Sequence, residues 1–268
     1  MTQSHQFTAI VLAADRGQAD PVAMATGSAC KALSPVRDIP MLFRVVHALQ
    51  NSQRIDSVIV VGPTEQIIST SPSLKTFLDQ AGIHWIQNGA TPCTSAQHAI
   101  QHIAKEKPTL ITTADHALLS PELIDYFCQH AVETKADAVV GLANAQHVVQ
   151  AYPEVGRTKW HFSDHHYCSC NLFAIRTNNG RNLIEFWKKV EDNRKKPLRI
   201  INQLGWLTTL RFVLRQITLD QALRQLSGKL SLTIKPVLLP FPEAAIDVDT
   251  EQDLKLAEKI LRKKALQT

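Results

Sequence analysis

Apolar residues in this chain fall into short unbroken runs, divided by longer stretches with helical spacing. Residues 8–14 (TAIVLAA), 57–61 (SVIVV) and 109–113 (TLITT) are nearly continuous apolar runs, the pattern of strands buried on both faces. Briefer strands are predicted over 84–87 and 136–142. Between them the spacing changes to three and four: Leu42, Val45, Val46 and Leu49 share one side of a helix over 41–49. Further helices are predicted over 74–81, over 95–104 with Ser95 as N-cap, and over 121–135 with Ser120 as cap and Pro121 in the first turn. This alternation predicts a Rossmann-like α/β fold, a mostly parallel sheet with helices on both faces.

From about residue 180 the texture shifts. Residues 182–226 carry Leu, Trp, Lys and Arg at helical spacing, with breaks at Pro197 and Gly205. A strand is predicted over 230–239 and an amphipathic helix over 253–264. The expected organisation is one domain over 1–268, with 182–228 as a helical insertion near the C-terminus. Trp187, Trp206 and Phe212 in that insertion suit helical core packing, or a lid over a greasy acceptor or a membrane surface.

Composition narrows the function classes. The 268 residues, 44% hydrophobic and 20% charged, suffice for one sizeable core. The formal charge of +5 suits a protein that handles anions, but it is too small and dispersed to argue for nucleic acid. Its densest runs, Lys188, Lys189, Arg194, Lys195, Lys196 and Arg199, then Arg262, Lys263 and Lys264, read as solvated helix faces. No apolar run reaches the roughly 18 residues of a transmembrane helix, and no signal peptide opens the chain. Five scattered cysteines, an odd number, point to free thiols and a reducing cytoplasm. Cys168 and Cys170 follow His165 and His166, but no second cysteine pair completes a structural zinc site. Oligomeric state is not legible.

Ligands of parallel sheets gather at the carboxyl ends of the strands, so the chemistry is expected just beyond Ala14 and Thr113. The loop of residues 12–49 is long enough to wrap a polyphosphate, with Lys31 as a point charge and Arg16 as a planar fork for phosphate oxygens. Asp115 directly follows a buried strand, where a carboxylate can hold a hard cation. Asp247 and Asp249 alternate, so both point to one side of an extended segment, and Thr250 can cap the last helix.

These residues resemble the MobA-like NTP transferases, relatives of the sugar-phosphate and molybdenum-cofactor nucleotidyltransferases, whose strand runs into LAAGxGxRM, then a lysine, then Gly-x-Pro. Here VLAA stands at 11–14, the lysine is Lys31, and Asp38-Ile39-Pro40 opens the helix. The loop is closest to a variant branch with R-x-x-x-D-P: Arg16, Asp20-Pro21, Ala23, Gly27 and Lys31-Ala32-Leu33. The stretch from Thr112 to Glu122 resembles the family's T-x-D-x-P-L-L-T-P-E, with Ala117 for the proline, and residues 247–254 resemble its D-x-D-T-P-E-D-L ending.

The resemblance implies a fold of the nucleotide-diphospho-sugar transferase type. It implies an enzyme that moves an NMP group from an NTP to a phosphorylated small-molecule acceptor, releasing pyrophosphate, with Mg²⁺ as cofactor. Catalysis would fall to Lys31, Arg16 and Asp115, and the metal to Asp115 with Asp249 first and Asp247 second. Leu12, Ala13, Ala14, Asp15, Thr94 and Ser95 would meet the nucleotide, and Arg157, Lys159 and Asn171 the acceptor. Asp15 and Asp38 stand where the family has glycine, and a carboxylate near the phosphates either weakens triphosphate binding or recruits another cation. Two rival readings follow: a catalytically impaired nucleotide-binding protein, or a glycosyltransferase of similar architecture using the Asp247-Val248-Asp249 spelling.

Overall fold

The structure, a computed structural model, describes residues 6–14, 20–154, 156, 158–192 and 206–266. In chain order it runs β1 (Phe7–Leu12), α1 (Pro21–Thr26), the hairpin β2 (Pro35–Val36) and β3 (Ile39–Pro40), α2 (Met41–Gln50), β4 (Ile55–Val61), α3 (Glu65–Thr70) and α4 (Pro72–Gln80). β5 (His84–Ile86), α5 (Pro92–Ile100), β6 (Thr109–Thr113), α6 (Pro121–Glu133), β7 (Ala138–Asn144) and α7 (Ala145–Ala151) follow. Then come β8 (Trp160–His161), β9 (His166–Ile175), α8 (Asn182–Asp192), helices Trp206–Val213 and Leu219–Leu230, β10 (Ile234–Leu239) and a last helix, Glu251–Ala265.

Eight strands form the main sheet in the order β10-β7-β9-β6-β1-β4-β5, with β8 paired to β9. β1 pairs in parallel with β4 and β6, as do β4 with β5 and β10 with β7. β9 runs antiparallel between β6 and β7. The inner strands are buried because helices cover both faces, which is why their sequences read as unbroken apolar runs. One core packs Val45, Leu49, Leu74, Leu123 and Phe127 against one face. The other packs Ala99, Ile103, Leu183 and Ile184 against Ile10, Ile59 and Ile111.

The helix expected to start at Ser95 starts instead at Pro92. Its N-cap is Thr91, whose hydroxyl accepts from the Thr94 amide while the Thr94 hydroxyl accepts from the Thr91 amide. Ser95 is fully buried, and its hydroxyl accepts the Gly89 N–H at 3.0 Å. The strand expected from residue 230 starts at Ile234, because the preceding helix runs through Leu230. β9 has no counterpart among the strands predicted from the sequence. Its Ser169 and Asn171 interrupt the apolar alternation, but Cys168, Cys170, Leu172 and Ala174 all face the first core.

Candidate active site

Four side chains converge beyond the carboxyl ends of β1 and β6. Lys31 opens a 3-10 turn, Lys31–Leu33, seated by the buried neighbours Cys30 and Ala32. Its ammonium donates to Asp115 Oδ2 at 2.7 Å and to Asp249 Oδ1 at 2.5 Å. Asp115 lies two residues past β6, and its other oxygen accepts the Thr113 hydroxyl at 2.5 Å. Carboxylate oxygens of Asp115, Asp247 and Asp249 all lie within 4.8 Å of one another.

Local sequence explains how residues 247–249 reach this point. Val248 is fully buried, and its N–H donates to the Asp115 carbonyl at 3.0 Å. In an extended segment that sends both flanking carboxylates to the opposite side. Thr250 and Asp253 form a reciprocal cap on the last helix, and Asp253 also accepts the Asp249 N–H at 3.2 Å. Asp247 Oδ2 accepts from the Asn171 amide at 2.8 Å. Asn171 can reach it because β9 bulges opposite Gly141: the register slips between Val140 and Leu142, and Asn171 takes a left-handed φ of 48°. Bulges of this kind re-aim a side chain.

Burial disfavours the Lys31 charge, but the Asp115 and Asp249 carboxylates outweigh it and hold the ammonium above the usual lysine range. Three carboxylates and one ammonium leave a formal charge of −2. That charge and an all-oxygen donor set fit a hard divalent cation held by Asp115, Asp247 and Asp249.

Beside this cluster lies a cavity of about 400 Å³, between Leu12, Ala14, Thr113 and Asp115 on the sheet side and residues 88–92 opposite, with Asp20 and Lys31 on its wall. Gly89 has to be glycine there, since a Cβ would sit 2.5 Å from the Thr94 hydroxyl oxygen. Thr94 and Ser95, expected to meet a nucleotide, stand behind this wall and hold it.

Asp20 escaped the sequence reading as a wall residue. Its carboxylate caps α1, accepting from Val22 and Ala23 N–H at 3.0 and 3.2 Å, and the pair Asp20-Pro21 with Gly27 at the C-cap was a readable helix signature. Asp38 is a turn residue: Arg37 and Asp38 both have positive φ, 48° and 64°, in the two-residue loop of the β2–β3 hairpin. Glycine suits that position for its backbone freedom, and aspartate is among the few residues that tolerate it. Lys159 lines a separate cavity of about 460 Å³ with His165, His166 and Asn144. Arg16, Asp15 and Arg157 lie outside the described residues. Among the described residues, no helix is long and apolar enough to cross a membrane. None of the five cysteines, all among the described residues, forms a disulfide, and Cys168 and Cys170 are buried in the core.

A mostly parallel α/β sheet with a lysine and carboxylates at its carboxyl edge, beside a cavity, defines a nucleotide-handling transferase. The chain belongs to the MobA-like NTP transferase family, whose domain profile matches residues 9–233, and it is a nucleotidyltransferase. That match stops short of Asp247 and Asp249. No curated protein sequence matches the chain significantly. Among solved structures it is similar to a hypothetical transferase from Thermus thermophilus, at 23% identity and TM-score 0.76, covering 93% of this chain and 99% of that one. It is also similar to a CMP:2-keto-3-deoxy-manno-octonic acid synthetase complexed with CTP, at 11% identity and TM-score 0.58, with 97% and 100% covered. A third is the 4-diphosphocytidyl-2C-methyl-D-erythritol synthase of Anaerococcus prevotii, at 12% and 0.55, with 96% and 97% covered. At these identities the three establish a shared fold.

Proposed function

We propose that the chain moves the NMP group of a nucleoside triphosphate onto a phosphorylated small-molecule acceptor, with release of pyrophosphate and with Mg²⁺ as cofactor. The observation that carries this reading is the meeting of Lys31, Asp115 and Asp249, the first two of which line the 400 Å³ cavity. Asp115, Asp247 and Asp249 would hold the cation, which when bound neutralises charge on phosphate oxygens.

The chain's own residues supply position and charge. Lys31 neutralises oxygens of the triphosphate, and backbone at Leu12 to Ala14 borders them with Arg16 and Asp15 in the loop beyond. An acceptor phosphate oxygen forms a bond to the α-phosphorus, the bond to the β-phosphate oxygen breaks, and pyrophosphate leaves. Asn171 works on the acceptor side by holding Asp247, with Lys159, and Arg157 outside the described residues, as further cationic groups for the acceptor. Thr94 and Ser95 act behind the base by fixing residues 88–91.

The test is mass-resolved turnover with each of the four common triphosphates, Mg²⁺ and a panel of phosphorylated acceptors. Pyrophosphate together with a nucleotidylated product is expected. Triphosphate binding without pyrophosphate would favour the impaired binding protein, and sugar release from a nucleotide-sugar would favour the glycosyltransferase.

A further inference from the structure

A second cavity, of about 410 Å³, lies on the sheet face covered by α8 and the helix Leu219–Leu230. Its walls are carbon: Leu142 and Phe173 from the sheet, Trp187 from α8, Leu223 and Leu226 from the later helix. Phe173 meets Trp187 edge to face at 4.4 Å between ring centroids, so the floor is built from packed aromatic groups. A space of this volume between well-packed elements is large enough for a small-molecule ligand.

Two observations say what the cavity takes. The first is that one strand, β9, serves both the cavity and the cation cluster. Ser169 and Phe173 both line it, and midway between them on β9 stands Asn171, whose amide holds Asp247. The same short stretch of β9 therefore borders the apolar space through Ser169 and Phe173 and the carboxylates through Asn171. The second is the rim. Trp160 lines the cavity yet is 47% exposed, and on the adjacent helix and just past it Leu210, Val213 and Leu214 are 45%, 69% and 53% exposed. Phe212 of that helix contacts Trp160 and Phe162, tying this exposed strip to the cavity wall. Apolar surface that runs from a carbon-lined hole out to solvent suits a hydrocarbon chain longer than the hole.

We propose that the acceptor is an amphiphile: its phosphate end lies at the cation cluster that Asn171 helps to hold, and its hydrocarbon body lies in the cavity lined by Trp160 and Trp187. This names the acceptor class for the nucleotidyl transfer proposed above and rests on that reading for the phosphate end alone. The chemistry is unchanged: the amphiphile's phosphate oxygen bonds to the α-phosphorus and pyrophosphate departs.

Because Trp160 and Trp187 line the cavity, tryptophan emission reports its occupancy. The experiment titrates the full chain with inorganic phosphate and with butyl, hexyl, octyl and decyl phosphate below their micelle concentrations. Affinity is expected to rise about three- to fourfold per methylene, the usual gain for burying that group, and to level off once the chain fills the cavity. Leu223→Arg is expected to weaken octyl phosphate at least tenfold. Ser169→Leu, which narrows the cavity without placing a charge in it, is expected to lower the chain length at which affinity levels off.

Alkyl phosphates that bind no better than inorganic phosphate overturn the proposal. So does a folded Leu223→Arg protein that binds octyl phosphate as wild type does. Capture by phosphatidylglycerol vesicles without binding of monomeric alkyl phosphate points to a membrane surface and overturns it, as does concentration-dependent dimerisation that quenches the same tryptophans. Triphosphate binding is measured in the same preparations. Its loss with alkyl binding intact sinks the nucleotidyltransferase mechanism alone, and the reverse result sinks the amphiphile alone.

Discussion

The two cavities share one sheet but differ in what they use it for. At the ends of β1 and β6, charged groups crowd within hydrogen-bond distance, and their positions are set by caps, a 3-10 turn and one backbone hydrogen bond. Over β7, β9 and β10, apolar side chains line a space that opens to solvent beside Trp160. Asn171 stands where the two regions meet, on a bulge that points its amide to the carboxylates while its strand neighbours line the apolar side.

The sharpest way to break this contrast is at the charged end. Asp115→Ala and Lys31→Ala are each expected to lower turnover by about a thousandfold or more, the scale seen when a pre-aimed charge is removed from a transition state. Circular dichroism should show the fold intact, and pyrophosphate release at the wild-type rate by either variant would remove the assignment. Chelation of divalent cations should abolish turnover, with recovery on adding Mg²⁺.

Asn171→Ala comes next. It should weaken the apparent affinity for the cation by about 10- to 100-fold, as losses of a ligand's orienting partner do. Excess Mg²⁺ should restore most of the rate, which would not happen if Asn171 touched the reacting atoms. Gly89→Ala should destabilise the protein by about 1–3 kcal/mol, because its Cβ collides with Thr94 behind the cavity wall; denaturant unfolding measures this.

The smallest effect concerns pH. The Lys31 pKa is raised above 10.5, so its ion pairs contribute fully below that pH and are lost as the pH climbs through the higher folded-state value. Melting temperatures of wild type and Lys31→Met should therefore differ steadily from pH 7 to 10 and converge above. A constant difference up to pH 12 would show that the ion pairs add nothing.

The sheet was legible in the sequence because β1, β4 and β6 are buried on both faces and show it as apolar runs. Asp115 was legible because it follows a buried strand, and the pair Asp247/Asp249 because it precedes a helix with a recognisable cap; Lys31 was legible only through the resemblance of its loop to the family's. β9 was not. It lies antiparallel inside an otherwise parallel region and carries polar Ser169 and Asn171, which break its apolar run. Only pairing with β6 and β7, distant in sequence, makes it a strand. Ser95 misled for a related reason: a buried hydroxyl with a tertiary partner looks like a helix cap when that partner, Gly89, cannot be seen.

The hydrogen bond from Val248 to the Asp115 carbonyl has a practical consequence. Two of the three acidic groups arrive only because the C-terminal segment is stitched there and its helix is anchored through Leu256 and Ile260. Trimming the chain after residue 233, where its family profile ends, would leave β1, β6 and Lys31 in place but discard that anchor. Such a shortened protein would keep Asp115 and lose two thirds of its cation grip.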